Sequence, residues 1–507
     1  MLQMKSRWFN YRPLCIVFVF LLLGSIFSYF ITRQLTFTIV ISVVILILFV
    51  ILTIVKKKIK FLLIPLISFI VGAGLYNIAI YSFDNGVEEK PTSIQARIYN
   101  LSKPEDGSIR LHADSCKFNG KSINENIIIY VYDNSNLFEN LEIGSIIEFT
   151  PSNFYKTDLF YYGTPNASYY SKNLKYSATV SYSNIEFLSF DRTLAEKIKA
   201  KIKENLAYGL TNENVEIAYS ALFGDTDLLS DNQYNAYKLS GVAHLLAVSG
   251  LNVAIIVTIV YKILDWFHIK RWYKLAVVLI FILAYMYLCN FSVSIVRATI
   301  MYIILLLAPL FYREYDPLSS IALAGIIIFL FNPLSAFDIS FLMSFSCVAG
   351  ITMLYKPIKT ALTHTKLPNS IANSLAVSCA TMLTLIFIMA HYFNTLNIIS
   401  LLSNIILIPI FTFAFVILFV VSLLSLIIPV ITYLLLPINQ IFNAINIIAT
   451  ILGGLTISNF TTIQFSYIAI VLYFILLLLI SRICTAKKEI KVMLSLPTVA
   501  LLIVCLV

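Results

Sequence analysis

The stretch Tyr219–Ile256, YSALFGDTDLLSDNQYNAYKLSGVAHLLAVSGLNVAII, divides the chain into two kinds of structure. Its first half is polar and punctuated; its second half is apolar. Ser230-x-x-Gln233 is a capping box, in which two side chains satisfy the free amides of a first helical turn, so a helix starts there. Gly241 breaks that helix, and an apolar span begins at His244. Ser249-Gly250 interrupts the span with two small residues, which lets the backbone approach a neighbour or line a path. The stretch is a border between a water-facing segment and a membrane domain.

The composition agrees. Of 507 residues, 59% are hydrophobic and 12% are charged, where soluble proteins carry about 25% charged residues. That excludes a secreted enzyme, a soluble globular domain and a disordered chain. Apolar runs of bilayer length open the chain at 14–32, 35–55 and 61–83. They resume near 244–264, 273–290, 295–312, 317–331, 334–355, 371–392, 396–428, 430–455, 463–483 and 492–507. Some are short or hold Pro309, Pro409 or Pro437, so about 11–13 spans are expected. Broken segments of this kind mark the working part of transport proteins.

Lys and Arg orient the spans. Lys5, Arg7 and Arg12 precede the first, and Lys56, Lys57, Lys58 and Lys60 separate the second from the third. Both clusters read as cytoplasmic, which puts the N-terminus inside and the polar stretch outside. Lys262, Lys270, Arg271, Lys274, Arg313, Lys356, Lys359, Lys366, Arg482, Lys487, Lys488 and Lys491 fall inside on the same count. The net charge of +10 would suit a nucleic-acid binder, but its location says otherwise. Residues 84–240 hold 15 Lys+Arg against 21 Asp+Glu, and the remainder holds 21 against 5. The excess is the positive-inside signal, and the outer stretch is acidic.

Within that stretch, Ser93–Leu101, Ser108–Phe118, Asn126–Tyr132, Ser145–Thr150 and Lys175–Phe187 read as five strands, with hairpin signals at Pro104–Gly107 and Asn119-Gly120. Five short strands fit an OB-fold-like barrel, with a sandwich as the alternative. From 193 the period changes: Leu194, Ile198, Ile202 and Leu206 recur every four residues between Lys197, Lys199, Lys201 and Lys203. That predicts an amphipathic helix at a membrane surface. The expected fold is a polytopic α-helical membrane protein with a small extracytoplasmic β domain. Its parts are three spans over 1–83, the β domain over 84–191, surface helices over 192–243 and a transmembrane domain over 244–507.

The border stretch resembles the signature of the ComEC family of competence proteins, through Gly224-Asp225 and His244-Leu-Leu-Ala-Val-Ser-Gly-Leu-Asn-Val253. Asn252 stands where the family pattern has a second His. Ser294–Met301 (SIVRATIM) is similar to the family's Arg-Ala element. Asp316-Pro-Leu, Asn332-Pro-Leu and Asp338–Phe345 (DISFLMSF) resemble a third element, with Ile339-Ser340 where Gly is usual. His391-Tyr-Phe, Asn404 and Pro409 form a fourth, and Asn166–Ala178 fits the outer domain. The resemblance implies a channel of the bacterial cytoplasmic membrane that passes single-stranded DNA inward during natural transformation. Many members continue into a metallo-β-lactamase-like domain. This sequence has no His-x-His-x-Asp-His run, so it reads as a short family form or a fragment, not itself an enzyme. Its partners would be a separate nuclease, other competence-machinery proteins, the DNA strand and the bilayer. No cofactor is implied. The five histidines show no metal-ligand spacing, and no Cys-x-x-Cys occurs among seven cysteines.

Candidate pathway residues follow. Arg297 lies within an apolar span, as a pathway residue or as a structural ion pair. Asp338 is its natural partner or a helix cap. Ser294 shares the face of Arg297. Ser340, Ser344 and Cys347 form one polar stripe, and Asn397, Ser400 and Asn404 another, as packing glue or pore lining. Phe337, Phe341 and Phe345 are core or a platform for bases. His244 and Asn252 flank Ser249. Lys197 and Lys201 guide DNA or anchor a helix, and Asp225 and Asp227 gate or form turns. Two other functions stay open: a small-solute or lipid transporter of this fold, and an intramembrane serine protease using Ser249 with His244 or His391.

Overall fold

A computed structural model describes residues 12–31, 63–84, 90–102, 109–132, 141–161, 164–226, 229–312, 314–363, 367–393, 395–455, 460–461, 473 and 476–477. The apolar run 35–55, most of 463–483 and all of 492–507 lie outside the described residues, as do Arg313, Lys366 and Asp227.

The outer stretch folds as alternation dictates. Strands β1 (Ile94–Ser102), β2 (Ile109–Phe118) and β3 (Asn126–Tyr132) form an antiparallel meander. Every second residue of β1 and β2 turns inward: Ile94, Ala96 and Ile98, then Ile109, Leu111 and Ala113. β4 (Ser145–Phe149) pairs antiparallel with β1 and continues after a three-residue bend as β5 (Asn153–Lys156). The last strand runs parallel to β3 as β6 (Leu174–Ser181) and then, beyond a tight turn at Tyr182–Asn184, becomes β7 (Ile185–Phe190). β6 pairs with β5, and β7 pairs with β4. The expected single strand Lys175–Phe187 is therefore two pieces that follow the bend of their neighbour. Going round, strand one meets two, two meets three, three meets the last, and the bent β4–β5 segment returns to one. This order of pairing is the OB connectivity, with β7 and β5 each paired on one side.

Among the described residues, eight helical segments are long and apolar enough to cross a membrane, and Pro13–Tyr29 and Pro317–Phe331 are shorter apolar helices. The chain is a multi-pass membrane protein. The first helices are α1 (Pro13–Ile31) and α2 (Leu63–Asp84). They touch through small residues: a Cβ at Gly24 would strike the Phe69 carbonyl, and one at Gly72 the Leu21 carbonyl. Asn77 donates to Ser28 Oγ across the same contact at 2.6 Å.

Between barrel and membrane domain lie α3 (Ala167–Ser171), α4 (Leu194–Leu206), α5 (Asn212–Phe223) and α6 (Asp231–Leu239). The capping box expected at Ser230 is present, and Thr193 with Glu196 forms another. The membrane domain follows as α7 (Gly250–Trp266), α8 (Arg271–Leu288), α9 (Val293–Leu307), α10 (Pro317–Phe331), α11 (Ile339–Leu362), α12 (Asn369–Phe393), α13 (Ser400–Ser425) and α14 (Leu436–Gly453). Pro409 lies within α13, while Pro309 and Pro437 sit in first turns, where a missing amide costs little.

Two contacts fix the barrel to the helices. Arg97 holds Asp114 through Nε (2.8 Å) and Nη2 (2.5 Å), and Glu196 of α4 through Nη1 at 3.0 Å. Lys175 donates to the Ser82 carbonyl at the end of α2. At the far end of the bundle, Arg12 pairs with Asp316 at 2.8 Å, joining the starts of α1 and α10.

Candidate functional site

Gly224 closes α5 in the left-handed region, at φ +77°. A Cβ there would meet Val248 Cγ2 at 3.1 Å, so the Gly224-Asp225 and Val248–Gly250 segments pack face to face. Three side chains hold the carbonyls at the end of α5. Asn252 donates to Ala221 O at 3.2 Å, Tyr285 to Leu222 O at 2.7 Å, and Cys289 Sγ to Leu222 O at 3.7 Å. Ser249 donates its hydroxyl to Asn252 Oδ1 at 3.3 Å. The polar residues of the border stretch thus form one joint between α5, α7 and α8.

Among the described residues, the partner of the Ser249 hydroxyl is Asn252. His244 sits in a short turn, Ala243–Leu245, with an exposed side chain. The span Ala243–Trp266 is broken before Ser249-Gly250: a short turn lies on one side and α7 starts at Gly250 on the other.

α9 carries Arg297 inward, 6% exposed. Its Nη1 donates to the Ser344 carbonyl at 2.5 Å, Ser344 Oγ lies 3.4 Å from Ser294 Oγ, and a Cβ on Gly250 would lie 3.2 Å from Nη2. Arg297 Nε is buried without a hydrogen-bond partner. No acid pairs with Arg297 among the described residues. Asp338, the expected partner, caps α11 and accepts from the Phe341 amide at 2.9 Å. The guanidinium borders a pocket of about 240 Å³, lined also by Gly250, Met301, Tyr302, Tyr315 and Val348.

The other candidates separate. Phe341 and Phe345 are buried and stacked, 4.1 Å between centroids, with Phe18 of α1 against both, while Phe337 packs on Tyr29 and Tyr76. Phe341 and Phe345 are core, and Phe337 is half-buried. Asn397 donates to the Leu239 carbonyl and accepts from the Ser400 amide at 3.2 Å, tying the end of α6 to the start of α13. Asn404 Oδ1 is buried without a partner.

Lys197 and Lys201 of α4 are exposed, and Lys201 pairs with Glu204 at 3.0 Å. Lys199 is turned inward over the Phe223 ring, 7% exposed, and burial pushes its ammonium below the ordinary 10.5 against the pull of Asp225. Ile202 and Leu206 lie in the protein's own core, while Leu194 is exposed. The C-terminal half of the apolar stripe of α4 therefore packs on the helix bundle, and its start at Leu194 stays exposed.

One cluster had no warning in the apolar pattern. Asn214 of α5 donates to Asn439 Oδ1 (2.8 Å) and Asn443 Oδ1 (2.7 Å), and accepts from Asn446 (3.2 Å). Tyr237 donates to Asn446 Oδ1 at 2.5 Å. The signal was present as Asn439, Asn443 and Asn446 at helical spacing.

A family model described as competence protein matches residues 221–486, which includes the α5–α7 joint, Arg297 and Asp338. The chain belongs to the competence protein (ComEC) family. It is similar to ComE operon protein 3 of Bacillus subtilis, 27% identical over 208 residues, which are 40% of this chain and 26% of that protein. It is similar to Recombination protein 2 of Haemophilus influenzae, 26% identical over 201 residues, 38% and 25% of the two chains. The match spans about a quarter of each of these relatives. No solved structure matches this competence-family chain.

Proposed function

We propose that this protein passes single-stranded DNA inward across the bacterial cytoplasmic membrane during natural transformation. The observation that carries the reading is Arg297, a charged side chain within a membrane-spanning helix, beside a pocket and without an acid among the described residues. Such residues are costly in a bilayer and are kept where a polar path needs them. A strand must also leave, and each firm phosphate contact adds salt-dependent grip. One cation flanked by neutral Ser344 and Ser294 suits passage better than a row of lysines would.

The proposed orientation puts the N-terminus inside and the barrel outside. In its favour, Arg12 and Asp316 meet at the end of the bundle opposite the barrel contact of Lys175 with Ser82. Exposed Lys197 and Lys201 would then face arriving DNA, with Asp225 close to buried Lys199. A separate nuclease and other competence proteins would complete the machinery. A small-solute or lipid transporter is the second reading, favoured by the modest size of the pocket.

Deleting the gene in a transformable host should abolish uptake of labelled DNA and leave surface binding intact. Normal uptake in the deletion strain overturns the proposal. Complementation with Arg297→Ala should leave membrane abundance unchanged and impair uptake; loss of the protein itself would make Arg297 structural.

A further inference from the structure

Arg97 and Arg12 each hold a carboxylate through the same edge of the guanidinium. In Arg97, Nε and Nη2 reach the two oxygens of Asp114; in Arg12, they reach those of Asp316. These parallel N–H groups match any planar or tetrahedral oxyanion. In Arg297, Nη1 is taken by Ser344 O, while Nε has no acceptor. A guanidinium stays charged in proteins, so Arg297 is a cation 94% buried with no anion among the described residues, a costly arrangement.

A second feature converges on the same corner. Gly250 is the first residue of α7, a helix of 17 residues, and its flank faces Nη2. The N-cap, Ser249, makes no side-chain cap bond, because its hydroxyl is turned to Asn252. The opening amides of α7 therefore keep their partial positive charge, and Gly250 lines the pocket. Gly250 and Arg297 share one pocket whose lining includes no carboxylate. From that corner the pocket follows one face of α9 through Ala298, Met301, Tyr302 and Leu305, about 12 Å at 1.5 Å per residue.

We propose that this corner is a binding site for a single phosphodiester oxyanion, held between Arg297 Nη2 and the start of α7. The inference rests on the translocation reading for its biological source, a DNA backbone phosphate, since an anionic phospholipid headgroup carries the same chemistry. The site itself is tested without transport.

Thermal unfolding of the purified full chain in detergent should rise with inorganic phosphate and not with chloride at equal ionic strength. The phosphate shift should vanish in Arg297→Gln. It should shrink in Gly250→Ala, whose methyl crowds Nη2 and leaves the arginine in place, so the test holds even if the arginine variant folds poorly. Competition by a short oligothymidylate assigns the site to DNA, and competition by phosphatidylglycerol but not phosphatidylcholine assigns it to lipid. Equal shifts with phosphate and chloride, or a phosphate shift that survives in both variants, overturn the site. Normal DNA uptake in the deletion strain overturns the translocation reading and leaves this binding result standing.

Discussion

Asn252→Ala separates a structural joint from a pathway. The Asn252 side chain is 3% exposed, donates to Ala221 O at 3.2 Å and accepts from Ser249 Oγ at 3.3 Å. Truncation removes two hydrogen bonds, each worth about 1 kcal/mol net, and strands a carbonyl whose desolvation costs about 1–3 kcal/mol. Tyr285 and Cys289 hold the neighbouring Leu222 carbonyl, so they do not replace the lost donor. The expected loss is about 3–5 kcal/mol, seen as a lower Tm of the purified protein by roughly 3–5 °C for a chain of 507 residues. Asn252→His, which restores the side chain usual in the family pattern, keeps a ring N–H for Ala221 O and should recover part of the stability. DNA uptake per molecule of surviving protein should stay near wild type. An Asn252→Ala protein as stable as wild type but inactive in uptake would refute the reasoning and return Asn252 to the pathway.

The remaining predictions concern the scaffold. Gly72→Leu should separate α1 from α2 by roughly an ångström and deplete the protein from the membrane, while Gly74→Leu, which meets open space, should not; immunoblots of membrane fractions compare them. Cys116 is 1% exposed in the barrel, and burial pushes its thiol up to about 12, so a maleimide should label it only after the barrel unfolds. Hydrogen bonds from Ser93 and Gln95 hold the Glu148 carboxyl below its ordinary 4.5. A depressed carboxylate stabilises the fold above its unfolded value and loses that effect as pH falls through the folded one. Barrel stability should therefore decline below about pH 4.5, and Glu148→Gln should flatten that decline in acid unfolding curves.

Much of the architecture was legible because its causes are local. Apolar run length placed the membrane helices, and the alternation of Ile94, Ala96 and Ile98 with polar neighbours placed a strand. Ser230-x-x-Gln233 marked a helix start that the fold contains. Each of these depends on residues within a few positions of one another. The site was less legible. Arg297 was identifiable from its place in an apolar span, but its lack of an acid was not, since Asp338 looked equally fit as partner or cap. The choice depended on where the start of α11 falls relative to α9, which no local period records.

The same division holds for Lys199 and the asparagines. The spacing of Leu194, Ile198, Ile202 and Leu206 established an amphipathic helix, but not what its apolar face meets. Packing against the bundle turned Lys199 inward and left Leu194 exposed. Asn439, Asn443 and Asn446 shared a helix face in the sequence, and Asn214, over 200 positions away, became their partner only through folding. Hydropathy and backbone preference act over single turns and strands, so the chain carries them in plain order. The pairing of buried polar groups acts between elements distant in sequence, so it exists only once the helices are packed.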